Sequence, residues 1–277
     1  MTINCKGNLV DLSIPKVMGI LNVTPDSFFD GGKYRDERAI LYQVEKMLKE
    51  GATFIDVGAY SSRPGAKYVN EDEELWRMLP VIDLLLKEFP NILLSIDTFR
   101  SVVAEKCLMN GAALINDISA GNLDGDMFHT IAKHKVPYVM MHMKGTPQTM
   151  QENVSYKNLV GDILFYFSEK IASARALGIN DVILDPGFGF AKEVHQNYEL
   201  LSQLNLFQTF ELPVLVGLSR KSMIYKILDT EAKRTLNGTT ALHMYALDRG
   251  ASILRVHDVK EAMECVRLIQ ELKPGNM

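Results

Sequence analysis

The amino-acid sequence predicts an α/β fold, a single (β/α)8 TIM barrel. Eight short apolar runs recur along the 277 residues, helical periodicity fills the gaps between them, and several runs follow a glycine. Nearly continuous apolar runs are typical of parallel strands that are buried on both faces. Eight strand–helix units in about 250 residues match the size of one such barrel. We therefore assign residues 1–277 to one domain, with the barrel from about 15 to about 275.

Each apolar run has the length of a strand and ends in polar residues or glycine. In chain order the runs are Val17–Val23, Thr53–Gly58, Ile92–Asp97, Ala113–Ile118, Pro137–His142, Val182–Asp185, Val214–Leu218 and Ser252–Val256. Gly51, Gly111, Gly178 and Gly250 precede four of the runs, where a helix commonly ends in a left-handed residue. Helix, glycine and buried strand thus recur as a unit.

Amphipathic stretches lie between the runs. In RAILYQVEKMLKE, Ile40, Leu41, Val44, Met47 and Leu48 form one apolar stripe at helical spacing. The stretches EDEELWRMLPVIDLLLKEF, KNLVGDILFYFSEKIASARAL and VKEAMECVRLIQEL have the same periodicity. An open doubly wound sheet is the alternative architecture, but it favours a GxGxxG motif after its first strand, which this sequence lacks.

The composition bounds the class of protein. The net charge of −4 gives no basic field for nucleic acid or an anionic membrane surface. The N-terminal stretch lacks the apolar core of a signal peptide, and no apolar run approaches the roughly 20 residues of a membrane span. Cys5, Cys107 and Cys265 are odd in number and lack CxxC spacing, which predicts free thiols. We expect a cytoplasmic protein that binds neither nucleic acid nor membrane.

Nearly every predicted strand ends in a group that carries chemistry. The residues are Asn22; Ser61, Ser62 and Arg63; Asp97; Asn116 and Asp117; His142; Asp185; Ser219, Arg220 and Lys221; and Arg255 and His257. Active sites of (β/α)8 barrels lie at the carboxyl ends of the strands. Charges there are costly to desolvate unless they are paired or bind a ligand. The sequence therefore predicts one polar site at one end of the barrel.

Two kinds of chemistry separate within this set. Arg63, Arg255 and His257 suit an anion such as phosphate, and Asn22 is a neutral oxygen ligand suited to Mg²⁺. The acceptors Asp97, Asn116 and Asp185 suit the donor-rich edge of an amino-pyrimidinone, and Lys221 suits its carbonyl and ring nitrogen. Met140 is a candidate pocket wall.

Some of these residues have a structural role as the alternative to a functional one. Asp117 is also a candidate helix cap, and His142 is a candidate core histidine held by hydrogen bonds. Arg220 suits either solvent or an ion pair with an acid at the rim. The 14 methionines are explained by core packing.

Eight motifs, in order along nearly the whole chain, support a more specific reading. They are MGILNVTPDSFFDGG, SSRPGA, SIDTFR, LINDISAG, MHMKGTPQTMQ, LDPGFGFAK, GLSRKSMI and RVHDV. The sequence resembles the dihydropteroate synthases, the folate-pathway enzymes that sulfonamides inhibit. The resemblance implies a (β/α)8 barrel, usually a homodimer. It also implies condensation of 6-hydroxymethyl-7,8-dihydropterin diphosphate with 4-aminobenzoate, giving 7,8-dihydropteroate and diphosphate.

The resemblance also implies roles for individual residues. Asn22 would contact Mg²⁺ and, with Arg255 and His257, the diphosphate; Asn22, Arg63, Lys221, Arg255 and His257 would be the catalytic set. The substrate-binding set would be Phe28, Ser62, Pro64, Asp97, Asn116, Met140, Asp185, Phe190, Gly217, Lys221, Ser222, Arg255 and His257. Within it, Phe190, Lys221 and Ser222 would line the 4-aminobenzoate pocket.

Two positions depart from the family pattern. Tyr60 stands where the family commonly has Glu or Gln, and Ser62 stands where it usually has Thr. We expect altered packing of that loop with retained activity.

The implied chemistry needs charge stabilisation more than a general base. Cations would stabilise the departing diphosphate, and the aromatic amine is already neutral at pH 7. We therefore expect a loose, cation-like methylene and no covalent enzyme intermediate. The loop from Thr24 to Tyr34 would close over the site and exclude water, with Asp26 or Asp30 reaching the metal or the methylene.

Three rival functions are less compatible with the residues. A pterin-dependent methyltransferase would not need the anion cluster or the SRKS motif, which are both present. A non-catalytic pterin-binding protein would tolerate loss of Asn22, Arg255 or His257, and all three are present. A sugar-phosphate aldolase would place its Schiff-base lysine within a strand, whereas Lys221 follows one.

Overall fold

The fold is that of a computed structural model, in which residues 1–23, 33–60 and 69–272 are described. Its strands are β1 Thr2–Cys5, β2 Asn8–Asp11, β3 Lys16–Asn22, β4 Phe54–Gly58, β5 Leu93–Asp97, β6 Leu114–Asp117, β7 Tyr138–Met141, β8 Val182–Asp185, β9 Leu215–Val216 and β10 Ile253–Val256. Its helices are α1 Lys33–Lys49, α2 Glu71–Glu88, α3 Ser101–Met109, α4 Met127–His134, α5 Leu159–Ala176, α6 Val194–Ser202, α7 Ser222–Tyr225, α8 Leu236–Asp248 and α9 Val259–Leu272. Short 3₁₀ turns lie at Met150–Glu152, Leu204–Phe210 and Ala232–Arg234.

Eight parallel strands form the barrel, in the order β8-β7-β6-β5-β4-β3-β10-β9. A parallel bridge between Leu184 and Val214 joins the two ends of this order, and the Leu184 amide donates to Pro213 O over 2.9 Å. Seven of the runs predicted as strands contain one strand each, and the eighth overlaps β3, which begins one residue earlier, at Lys16. The predicted (β/α)8 barrel is therefore confirmed.

Alternation of side chains along the strands divides the barrel into an inner and an outer face. Met18, Phe54, Leu114, Val139 and Ile253 pack together inside the barrel, with Ile183 and Leu215. Their sequence neighbours, such as Val17 and Ile55, pack outside in the larger cluster between the strands and the helices. Counting two residues on from the inner layer identifies the side chains that face the barrel axis nearer the carboxyl ends.

The hairpin β1–β2 covers the amino-terminal end of the barrel and was missed from the sequence. Ile3, Cys5 and Leu12 are buried against the inner apolar layer. Lys6 and Gly7 form the turn with φ of 54° and 83°, the conformation that two-residue hairpins prefer. Each strand has only four residues, and Lys-Gly is a weaker turn signal than Asn-Gly, so the pattern was not recognised as a hairpin.

The helix-ending glycines behave as predicted. Gly51, Gly111, Gly178 and Gly250 all have positive φ, between 77° and 106°. Each ends a helix and lets the chain turn into the next strand. Within the described ranges, no helix has both the length and the apolar character needed to cross a membrane.

The hairpin supplies a first prediction, on stability. Replacement of Ile3, which is 1% exposed, by Ala should lower the free energy of unfolding by about 2–5 kcal/mol, because it leaves a cavity under the barrel. Leu9→Ala in the same hairpin, where the side chain is 73% exposed, is the matched control and should change it by less than about 0.5 kcal/mol. Urea unfolding followed by circular dichroism measures both. Equal effects of the two substitutions would contradict a packed hairpin.

Candidate active site

The inner face of the barrel brings the predicted polar residues together at its carboxyl-terminal mouth. Asn22 lies opposite Gly58, which lies opposite Asp97, which in turn lies opposite Asn116. Asp185 ends β8, and Arg255 lies on β10 two residues after the inner Ile253. Glycines at inner positions 58 and 217 leave space among these side chains, since a Cβ at Gly217 would lie 3.9 Å from Lys221 Nζ.

An ion cluster that the sequence analysis did not identify lies at the centre of this mouth. The Arg255 guanidinium donates from Nε to Asp56 Oδ2 over 2.6 Å and from an η nitrogen to Asp97 Oδ2 over 2.7 Å. Asp56 is fully buried and also accepts from Ser95 Oγ over 2.5 Å and from Asn116 Nδ2 over 3.1 Å. Arg255, predicted for the anion site, is thus held by Asp97 of the predicted heterocycle site and by Asp56, which was not predicted.

The cluster shifts the proton affinity of its members. Burial, opposed by Arg255 and reinforced by Asp56, raises the pKa of Asp97 to about 7. For Arg255 the effect of burial is outweighed by the two carboxylates, and its pKa rises further above its ordinary value. The guanidinium is therefore permanently charged, and Asp97 is the carboxyl of this cluster that titrates near neutrality.

Lys221 and Asp185 form the opposite wall of the mouth. Lys221 Nζ donates to Phe188 O and lies 4.8 Å from the centre of the Phe190 ring. Burial lowers the pKa of Lys221 to about 8, an effect that Asp185 opposes. Burial also raises the pKa of Asp185. The charge of Lys221 and a hydrogen bond from the Gly187 amide, over 2.8 Å, oppose this rise. This wall presents an acid, an ammonium group and an aromatic ring to the same space.

The loop that carries Phe190 is held by a buried lysine, which the sequence analysis also missed. Lys192 Nζ donates to Gly187 O and Phe190 O over 3.0 Å each and lies 3.1 Å from His142 Nδ1. These three acceptors match the three donors of an ammonium group. Gly187 is required there, because a Cβ would lie 2.1 Å from His142 O. The lysine thus fixes the backbone on which Phe190 sits.

His142, Asp117 and Arg220 have the structural roles that were considered beside the functional ones. His142 is 2% exposed, and burial, together with Lys192 and Lys144, holds its pKa well below the ordinary value. Asp117 points to the outer face and accepts from Ser119, Gly121 and Tyr138. Arg220 forms two hydrogen bonds with Asp258, at 3.1 and 2.5 Å. None of the three side chains is directed into the mouth by these contacts.

The prediction of Met140 as a pocket wall is contradicted. Met140 is fully buried in the outer cluster between the strands and the helices. Met141, the next residue, packs at the rim with Met143, Met150 and Phe190. Strand alternation reverses the face with each residue, so an error of one position moved the side chain out of the barrel. Counting from the inner Val139 would have identified Met141.

Two arginine side chains form hydrogen bonds with the backbone on either side of the segment after β4. Arg77 donates to Ala59 O over 3.1 Å, and Arg100 donates to Val69 O over 2.8 Å. Tyr60 packs edge-on against Phe99 and accepts from Gln148 Nε2 over 2.7 Å. Tyr60, the departure from the family pattern, thus ties this loop to the one after β7.

The remaining predicted residues are only partly placed. His257 Nδ1 lies 3.1 Å from Ser219 Oγ at the end of β10, and Ser222 begins α7 beside Lys221. The predicted residues Asp26, Phe28, Asp30, Ser62, Arg63 and Pro64 lie outside the described residues.

Comparisons with known proteins identify the family of the chain. The model of a family described as pterin binding enzymes matches residues 18–257. The dihydropteroate synthase of Escherichia coli K12 is 42% identical over 272 residues, covering 98% of this chain and 96% of its own. The crystal structure of the Yersinia pestis dihydropteroate synthase with a sulfonamide drug complex has a TM-score of 0.91 and 43% identity, covering 98% of this chain and 99% of that one.

A third relative has a structure with a small aromatic acid. The Xanthomonas albilineans dihydropteroate synthase with 4-aminobenzoic acid has a TM-score of 0.91 and 36% identity, covering 99% of this chain and 98% of that one. The family model matches well over half of this chain, and the similarity extends over nearly its full length. The chain therefore belongs to the family of pterin-binding enzymes and, within it, to the dihydropteroate synthases.

Proposed function

We propose that the protein condenses 6-hydroxymethyl-7,8-dihydropterin diphosphate with 4-aminobenzoate, giving 7,8-dihydropteroate and diphosphate. The observation that carries the proposal is the convergence of Asp97, Asn116, Asp185, Lys221 and Arg255 on one mouth of the barrel. Asp97, Asn116 and Asp185 offer hydrogen-bond acceptors, and Lys221 and Arg255 supply positive charge. That arrangement suits a flat heterocycle with donors on one edge and an anionic leaving group.

The pterin ring would lie between the two walls of the mouth. Asp185 and Asn116, which are 7% and 4% exposed, would meet its donors, and Lys221 would meet its carbonyl and ring nitrogen. Buried carboxylates that are left unpaired destabilise a complex strongly, so a ring without these donors is rejected. Phe190 and Ser222 would form the adjoining 4-aminobenzoate pocket, where Lys221 already lies against the Phe190 ring.

The diphosphate end would be bound at the Asn22 side of the mouth. Asn22 is a half-buried side chain on the inner face, opposite Gly58. One neutral oxygen ligand fits Mg²⁺, which keeps most of its water and is shared with phosphate oxygens. Bound there, Mg²⁺ would neutralise charge on the leaving diphosphate. Arg255 has five donors, of which the two carboxylates use two, and with His257 and the predicted Arg63 it would add further positive charge.

Positioning and electrostatics would account for the rate. The C–O bond to diphosphate breaks as the nitrogen of 4-aminobenzoate attacks the methylene, and the amine proton leaves to solvent. Fixed cations around the leaving group stabilise its developing charge, because they need no reorganisation during the step. Holding both substrates at reacting distance supplies much of the remainder.

A product assay with a lysine variant tests the function. Protein, Mg²⁺ and both substrates should give dihydropteroate, detected by mass, and diphosphate in equal amounts. Lys221→Ala should lower kcat/KM roughly 100-fold or more, because it removes a buried cation from the substrate pocket. Lys226→Ala, at an exposed position one turn on, is the matched control and should retain activity. Pterin binding without either product would contradict the proposal.

Metal dependence can be tested separately at Asn22. We propose that activity requires Mg²⁺, so chelation should abolish it and added Mg²⁺ should restore it. Asn22→Ala should raise the Mg²⁺ concentration needed for half-maximal activity by about tenfold, the loss expected for one weak oxygen ligand. Asn91→Ala, exposed before β5, serves as the control. An unchanged Mg²⁺ requirement in Asn22→Ala would remove Asn22 from the metal site.

We further propose that the protein is a homodimer. Large apolar side chains are exposed on the carboxyl-terminal helices and the segment before them, namely Ile227, Leu228, Leu236, Tyr245, Leu268 and Leu272. Light scattering should give twice the chain mass of 31.1 kDa. Leu268→Glu should shift the mass towards the monomer, whereas Phe165→Glu, equally exposed on α5, should not. A monomeric parent protein would overturn this proposal.

We also propose a cytoplasmic location. Its support is that Cys5, Cys107 and Cys265 are free and buried, and burial raises the pKa of Cys5 and Cys107 to about 12. Thiols in this state persist in a reducing compartment.

A further inference from the structure

The buried ion cluster has more acid than base. Asp56 and Asp97 share one guanidinium, so full ionisation leaves one negative charge without a counter-charge within the trio. An unpaired charge in a desolvated site is costly, and protonation of one acid removes that cost. The geometry must therefore decide which carboxyl carries the proton.

Hydrogen bonding assigns the two acids different states. Asp56 accepts from Arg255, Ser95 and Asn116, whereas among the residues that the structure describes the Asp97 side chain accepts from Arg255 alone. Donors stabilise the ionised form of the acid that they contact. Three donors oppose protonation at Asp56 and one at Asp97, so Asp97 is the acid of the pair that accepts a proton more readily.

Charges from the surrounding elements act in the same sense. The negative charges of Asp56 on β4, Glu74 on α2 and Asp117 on β6 all favour the protonated form of Asp97. Arg255 and Lys221 oppose them. With burial, the balance places the pKa of Asp97 at about 7. Asn22 of β3, the proposed metal ligand, is separated from Asp97 of β5 by the strand β4.

We propose that Asp97 is partly protonated in the unliganded site at neutral pH, that binding of an amino-pyrimidinone ring expels this proton to solvent, and that Asp56 is the positioning residue that creates the linkage. The inference rests on the proposed pterin site. Ring N–H donors require an ionised acceptor, so only the deprotonated form of Asp97 binds them well. Binding is therefore coupled to loss of a proton.

The coupling has a definite sign. As the pH rises above 7, a growing fraction of Asp97 is already ionised, and binding releases progressively less of a proton from it. Near pH 7 about half of the sites are protonated, and binding releases about half a proton per site. Affinity should rise about tenfold between pH 6 and pH 8, in proportion to the ionised fraction.

Calorimetry with 6-hydroxymethylpterin, which lacks the diphosphate, tests the proposal. Titrations of the full-length protein in buffers of different ionisation enthalpy give the number of protons released at each pH. Absorbance of the pterin reports any proton that the ring itself gains or loses. The parent protein should release about half a proton near pH 7 and fewer at pH 8.

Two variants should move the release in opposite directions. Asp56→Asn removes the neighbouring negative charge, so Asp97 ionises at lower pH and release near pH 7 falls towards zero. Ser95→Ala weakens the stabilisation of ionised Asp56, so the pair holds its shared proton more tightly and release shifts to higher pH. Simple structural damage would not shift the profile in two directions. Asp83→Asn, exposed on α2, makes the same charge change and should leave the profile unaltered.

The outcomes separate this inference from the proposed function. Pterin binding with no proton release at any pH would overturn the linkage and leave the synthase proposal standing. Release that persists unchanged in Asp56→Asn would overturn the role of Asp56. Failure of the pterin to bind at every pH would overturn the proposed function as well.

Discussion

The pairing of Arg255 with Asp56 and Asp97 is the interaction on which the mouth of the barrel depends. Arg255 lies on β10 and reaches past β3 to acids on β4 and β5. Its position is set from both sides, since Asp56 is itself held by Ser95 and Asn116. Removing one partner of such a buried pair typically costs about 3–5 kcal/mol, because it leaves a charge uncompensated. These contacts therefore link four strands, β10, β4, β5 and β6, and help to hold them in register.

Buried cations perform a related task in the loops above the strands. Lys192 donates to the backbone carbonyls of Gly187 and Phe190. Arg77 donates to the carbonyl of Ala59, and Arg100 donates to that of Val69. Loop carbonyls lack strand partners and need a donor when they are removed from water. A long cationic side chain supplies that donor from a neighbouring element. These carbonyls at the mouth are thereby held in place although they belong to no helix or strand.

The strands and most of the strand-end residues could be predicted because buried parallel strands leave a strong pattern of apolar runs and terminal polar groups. Asn116, Asp185 and Lys221 stand at the ends of such runs and were placed correctly. Asp56 was missed because it lies inside its run, where an acid is stable only with partners from distant parts of the chain. Lys192 was missed because it lies in a loop, where a lysine is usually exposed, and its burial depends on contacts such as the one with His142 on a distant segment. Met140 was misplaced because a run without polar residues does not show which face is inner.

The hairpin under the barrel has a consequence for the order of folding. It precedes the barrel strands in the chain, and its short turn lets it form from local contacts. The surface that receives Ile3 and Cys5, however, includes Leu215 and Ile253, more than two hundred residues later in the chain. Contacts of such long sequence separation form late, because the intervening chain must be ordered first. The hairpin therefore precedes every barrel strand in the chain but docks only after the last of them has formed, and its docking marks completion of the barrel.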